Sequence, residues 1–247
     1  MSRLSRSACL AAVLAAIPMA ARAQDAGAGF LFEPPLGSLT IRGGWALARA
    51  HSDLFSFTTS QLSLNRGDFS SPSLGADLDF RILPRTSVVI SAELSGMDKK
   101  SDFRGFIDNN DLPIEQTTSF RRIPVTLGVK QYLTSTGRSI GKFAWIPTRF
   151  APYVGVAGGM MYYRFRQSGD FIDFNTTSVF PDTYMSDGWA LTTHAMAGVD
   201  YSLGARFALT TEARYLWSSA ELSNDFSGFH ALDLSGLSTT VGFSVRF

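Results

Sequence analysis

From residue 37 to the C-terminus, apolar and polar side chains repeatedly alternate with a period of two, in runs of about ten residues separated by turn-rich stretches. Alternation of this kind places successive side chains on opposite faces of an extended chain, so each run predicts a β-strand. Eight runs are read, at 39–50, 73–82, 86–97, 119–133, 151–166, 188–203, 206–218 and 234–247, with no helical periodicity of useful length between them. The connections alternate too. "LPR" (83–85) and "LGA" (203–205) are tight, whereas 51–72, 98–118, 167–187 and 219–233 are long. The stretch 134–150 is the exception, a long connection at the short-turn end. This pattern predicts an all-β fold: an eight-stranded antiparallel up-and-down barrel.

The charges say which face points inward. In run 73–82, Leu74, Ala76, Leu78, Phe80 and Ile82 form one row, and Asp77, Asp79 and Arg81 lie in the other. The same split recurs in 86–97, 119–133 and 206–218, and in the last run it sets Leu237, Val241, Phe243, Val245 and Phe247 against Ser238, Thr240, Gly242, Ser244 and Arg246. Run 151–166 is less clear: the reading that turns its arginines inward puts Val154, Val156 and Met160 inside and Gly155 and Gly159 outside. Collected, the inward rows carry Arg42, Asp77, Asp79, Arg81, Glu93, Arg122, Lys130, Arg164, Arg166, Asp200, Glu212, Arg214 and Arg246. A soluble barrel of this polarity would expose an apolar belt to water, whereas lipid accepts that belt. A lipid-facing Arg or Lys at mid-membrane costs up to about 2–4 kcal/mol, so the register is strongly set and the barrel is expected to be transmembrane. An eight-stranded lumen is only wide enough for side chains to fill, and these charges are expected to form an ion-pair network that closes it. Trp45, Tyr153, Tyr163, Phe165, Tyr201, Tyr215, Trp217 and Phe247, near strand ends, suit interfacial girdles.

Composition agrees: 45% of residues are hydrophobic and only 17% charged, fewer charges than an average soluble domain carries. At the N-terminus, Arg3 and Arg6 precede the apolar run "ACLAAVLAAIPMA" (8–20), and Ala21-Arg22-Ala23 supplies small residues for signal peptidase. Residues 1–23 therefore read as a signal peptide, 24–36 as a periplasmic N-terminal segment and 37–247 as the barrel. The run is shorter than the roughly 18 apolar residues a transmembrane helix needs. Cys9, the single cysteine, falls in the signal, so the mature chain is expected to hold no disulfide and no cysteine metal site. Beyond residue 23 there are 19 basic and 21 acidic residues, and no basic cluster interleaved with aromatics, which argues against nucleic acid as a partner.

"RRIPVTLGVKQYL" (121–133), "APYVGVAGGMMYYR" (151–164), "GVDYSLGARFALTTEARYLW" (198–217) and "LSGLSTTVGFSVRF" (234–247) resemble the small outer-membrane β-barrel family that includes OmpX, OmpW and the OmpA transmembrane domain. The resemblance implies the outer membrane of a Gram-negative bacterium, with outer-membrane lipid and lipopolysaccharide as surroundings. It also implies insertion by periplasmic chaperones and the barrel assembly machinery, no cofactor, and a monomer. The terminal row Phe243, Val245, Phe247 resembles the family's assembly signal. No peptidoglycan-binding domain is expected after Phe247. Roles across such barrels range from structural anchors and adhesins to conduits for hydrophobic compounds and lipid-modifying enzymes.

Candidate chemistry is sparse. His51-Ser52-Asp53 is contiguous, so neighbouring side chains diverge in an extended chain; His194 lies in an inward row without a serine partner in its strand; His230 has Asp233 nearby in a loop. No metal-ligand spacing appears. The stretch 169–189, "GDFIDFNTTSVFPDTYMSDGW", mixes acids with aromatics and reads as an external loop suited to contacts with sugars or proteins. A structural or surface-interaction role without catalysis is the leading expectation, passage of small compounds the second and lipid modification the third.

Overall fold

The computed structural model describes residues 29–107, 111–141, 144–173, 176 and 178–247, so the expected signal peptide, 1–23, lies outside the described residues. Eight antiparallel strands close into a ring: β1 (Gly37–Ala48), β2 (Ser71–Leu83), β3 (Thr86–Ile107), β4 (Pro113–Tyr132), β5 (Phe150–Ile172), β6 (Val179–Ser202), β7 (Phe207–Ala220) and β8 (Gly236–Arg246). Each strand pairs with the next in sequence. The seam joins β8 to β1 from Ser38↔Arg246 to Ala48↔Gly236, and backbone bonds between Gly37 and Phe247 extend it at the turn end.

The two faces separate as lipid would require. Ile41, Leu74, Ile90, Leu127, Val156, Leu191, Leu209 and Val241 are exposed, while Arg42, Asp77, Ser91, Lys130, Thr192, Thr210 and Glu212 are buried inside. Two aromatic bands flank the apolar belt. Near the turns, Phe80 meets Phe247, Phe150 meets Tyr201 and Phe207 stacks on Phe243; toward the loops, Tyr162 meets Trp189 and Tyr215 meets Trp217.

Strand β5 runs in the opposite register to the one expected. Val154, Val156 and Met160 face out, whereas Tyr153, Ala157, Met161, Tyr163 and Phe165 are buried inside. Arg164 and Arg166 are therefore on the outside of the barrel, and Tyr153, Tyr163 and Phe165 do not belong to a girdle. The reason lies in their position along the strand. Tyr162 pairs with Trp189 in the loop-side aromatic band, so Arg164 and Arg166 stand beyond the lipid, where an outward charge is hydrated.

The strands are also unequal. β3, β4, β5 and β6 have 22, 20, 23 and 24 residues, against 12, 13, 14 and 11 for β1, β2, β7 and β8. A membrane-crossing strand needs only about 9–11 residues, so β3–β6 rise as a tall wall past the apolar belt. Most of 98–118 and 167–187, expected as loops, is thus strand, and the described part of 169–189 falls mostly in the ends of β5 and β6 rather than in an irregular loop. The first long connection holds a helix that no periodicity announced, α1 (Asp53–Gln61). At the turn end, within 134–150, Gly137–Ile140 pairs antiparallel with Ala144–Pro147; Trp145 is buried against Leu31 and Ala205 and pairs through backbone bonds with Leu31.

Candidate functional site: the filled barrel interior

Inside the lipid-level part of the ring, side chains of opposite charge interlock. Asp77 accepts from Arg42 Nε at 3.0 Å and from Arg214 Nη2 at 2.7 Å, one carboxylate oxygen serving both. Arg42 also reaches Glu93, and Arg214 reaches Glu212. Nearer the turns, Lys130 Nζ lies 3.0 Å from Asp79 Oδ1 and 4.5 Å from the centre of the Tyr153 ring. The Tyr153 hydroxyl donates to Glu212 at 2.8 Å, and Tyr132 and Thr210 donate to Asp200, each at 2.8 Å. Backbone without side chains makes the room: a Cβ on Gly75 would lie 2.8 Å from the Arg42 guanidinium carbon, and one on Gly198 would lie 2.5 Å from the Tyr153 hydroxyl. Buried charges persist only when paired and hydrogen-bonded. Here Glu93, Asp200 and Glu212 each have a donor on both oxygens, while Asp77 takes both arginines on one oxygen and its Oδ1 has no hydrogen-bond partner among the described residues.

The remaining expected members have other partners. Arg122 is buried but donates to the Leu234 carbonyl at 3.0 Å, tying the last long connection to the wall. Arg246 donates to Ser202 Oγ at 2.9 Å and lies over Trp145 at the turn end. Arg81 is half-buried at the same end. Arg164 and Arg166 lie outside, as described.

Above this layer the interior becomes apolar. Helix α1 dips into the mouth of the ring and buries Leu54 and Phe55. The Phe55 ring meets Phe69 at 4.6 Å, Phe120 at 5.5 Å and Phe165 at 5.8 Å, and Phe165 meets Phe226 at 5.6 Å. Leu62, Leu64, Met161, Tyr163, Leu232 and Leu234 complete the cluster. The sequence reading missed this plug, because its members come from two connections and four strands, β4 to β7. The spacing "DLFSF" followed by "LSL" and "GDF" was its only local trace.

The histidines are dispersed. His194 is buried in the lumen, and its Nε2 has no hydrogen-bond partner among the described residues. His51 lines a side cleft at the rim, where its backbone N–H donates to Asp233 at 3.2 Å. His230 meets Asp53 rather than Asp233: Asp53 Oδ2 lies 2.8 Å from its Nδ1 and accepts from its backbone N–H at 2.9 Å. Among the described residues, no serine hydroxyl hydrogen-bonds to a histidine ring, and no group of His, Cys, Asp and Glu could hold a metal ion.

A closed antiparallel ring with an apolar exterior, paired aromatic bands and a charged interior is a membrane-spanning β-barrel: closure satisfies every strand within the lipid, and the inverted polarity matches that solvent. No protein-family model matches the chain, and no curated protein matches it. Among solved structures, Neisserial surface protein A is 12% identical with a TM-score of 0.44, over 89% of this chain and 98% of its own. Ail, the attachment invasion locus protein of Yersinia pestis, is 14% identical with a TM-score of 0.41, over 85% and 99%. Outer membrane protein W of E. coli is 14% identical with a TM-score of 0.39, over 87% and 100%. These are likenesses of fold only.

Proposed function

We propose that this protein is a Gram-negative outer-membrane barrel that does not conduct and acts through its loop-end surface, as a structural element or in contacts with other molecules. One observation carries the reading: the interior is filled twice, by the ion pairs around Asp77 and by the aromatic plug around Phe55. Purified protein reconstituted in a planar bilayer is expected to give no stable conductance steps. Large, reproducible steps would overturn the reading.

A second reading has one observation in its favour. Beyond the last rung Thr192↔Ser218, β6 and β7 part, and a cleft of about 620 Å³ opens there, lined by Leu191 and Trp217 on the lipid side and by Thr192 and Ser218 inside. A small apolar compound could lodge in it. Uptake of such a compound into protein-containing liposomes, faster than into protein-free ones, would favour passage over a closed barrel.

A further inference from the structure

We infer that the outer face of the tall wall carries a binding site for the phosphate groups of an anionic glycolipid of the surrounding leaflet. The inference rests on the membrane placement proposed above. Its starting point is the register. On the outward face, Ile123, Tyr162 and Trp189 lie on one line across β4, β5 and β6, the last apolar line before the wall leaves the lipid. One step higher, Arg121 stands directly opposite Arg164, and Asp187 follows. The next line brings Asp98, Ser119 and Arg166 together, and the one after it brings Lys100.

Like charges directly opposite one another across two strands are destabilising unless an anion lies between them. The protein supplies only part of that anion. Asp98 lies 3.3 Å from Arg121 and Asp187 lies 3.6 Å from Arg164, both as exposed pairs of the kind worth little in water. Arg166 and Lys100 have no acid within 4.0 Å among the described residues. The Nε of Arg164 is buried and lacks a hydrogen-bond partner, while its Nη2 is steered by the Tyr162 hydroxyl at 2.8 Å. Four cations against two acids leave this band with a net positive charge immediately above an aromatic band.

That arrangement fits one ligand chemistry. Acyl chains lie against Val125, Met160 and the Tyr162–Trp189 pair, and the phosphate that follows them arrives at the height of the arginines. Arginine's planar fork binds phosphate oxygens in pairs, and the lipid edge strengthens the attraction by excluding water. A zwitterionic lipid brings its phosphate together with an ammonium group and so carries no net negative charge to the band.

The test uses the folded full-length barrel in nanodiscs of zwitterionic lipid, doped with lipid A or with the same lipid A dephosphorylated, and counts the lipid retained per barrel by native mass spectrometry. Retention of the phosphorylated form is expected to exceed that of the dephosphorylated form about tenfold, the scale set by hydrogen bonds to charged groups. The preference should collapse in R121Q/R164Q/R166Q and increase in D98N/D187N. Equal retention of both lipids by the native barrel overturns the site without any variant, as does an unchanged preference in a triple variant that keeps its heat-modifiable mobility. Phosphatidylglycerol held as tightly as lipid A would reduce the band to a general anion attractor and also overturn it. Failure of the native barrel to insert into any bilayer would instead overturn the membrane placement, and the site with it.

Discussion

The two halves of the barrel interior obey opposite rules. On β4, the lipid-level half turns Lys130, Thr126 and Arg122 inward and Val129, Leu127, Val125 and Ile123 outward. A few residues further along the same strand, Phe120 is buried inside and Arg121 is exposed. β5 repeats the inversion, with Phe165 inside and Arg166 outside. The strands are continuous, so the change belongs to what lies outside them. Where lipid surrounds the ring, apolar residues face out and the lumen holds polar side chains; where water surrounds it, the ring becomes an ordinary soluble sandwich with an aromatic core. One tube is thus sealed by two kinds of physics, and each seal should fail in its own way.

The polar half should fail hardest. Asp77 is shared by Arg42 and Arg214, and Asp77→Ala would leave two buried guanidinium groups short of a counter-charge. Removing one partner from a buried ion-pair network costs about 3–5 kcal/mol. The expected outcome is a lower urea midpoint for the refolded barrel in micelles, with unfolding still cooperative over all eight strands. A variant as stable as the native chain would mean that the lumen is wet enough to hydrate both arginines, and the distinction between the halves would weaken.

The apolar half should fail locally. Phe55→Ala removes the ring that three other phenylalanines contact and should cost about 3 kcal/mol, the lower end for Phe truncation because the open mouth lets neighbours relax. Hydrogen exchange should speed up in α1 and in 221–235 while the lipid-level rungs stay protected. Conductance should stay at baseline, because the ion pairs below remain. If Phe55→Ala opened a channel, the plug would be the only seal and the charged layer would be porous.

The same inversion explains what the sequence reveals and what it hides. The ring, its even strand number, and the outward rows of β2, β7 and β8 follow from alternation, since Asp77, Asp79, Glu212 and Arg214 each tolerate only one face within lipid. The β5 register does not follow. Treating every charge as lumenal draws Arg164 and Arg166 inward, although the inside-out rule stops at Tyr162. The extensions of β3–β6 are hidden for a related reason: Asp98, Lys99 and Lys100 are wet or partnered on both faces and lose the apolar alternation that marks a strand. The particular ion pairs were also out of reach. Arg42 and Glu93 are 51 residues apart, and only the closed register brings them together.

The smallest effect concerns the fastening of the plug to the rim. Asp53, at the start of α1, accepts from the His230 backbone N–H and lies against its ring, and these contacts hold its carboxyl below the usual carboxylate range. A carboxylate with a lowered folded value contributes stability that is present above its unfolded value, about 3.9, and lost as the pH falls through the folded one. The fastening should therefore be at full strength at pH 6 and fade only below about pH 4. Because Asp53 is exposed, its loss should leave global unfolding unchanged and appear as faster exchange of the first turn of α1. Asp53→Asn should show that faster exchange at pH 6 and converge with the native chain at low pH. Equal exchange in the two at pH 6 would mean that the helix is held by its buried Leu54 and Phe55 alone and that the aromatic seal needs no latch at its surface, and a gap that persisted below pH 3 would mean that the ionised carboxylate is not what fastens it.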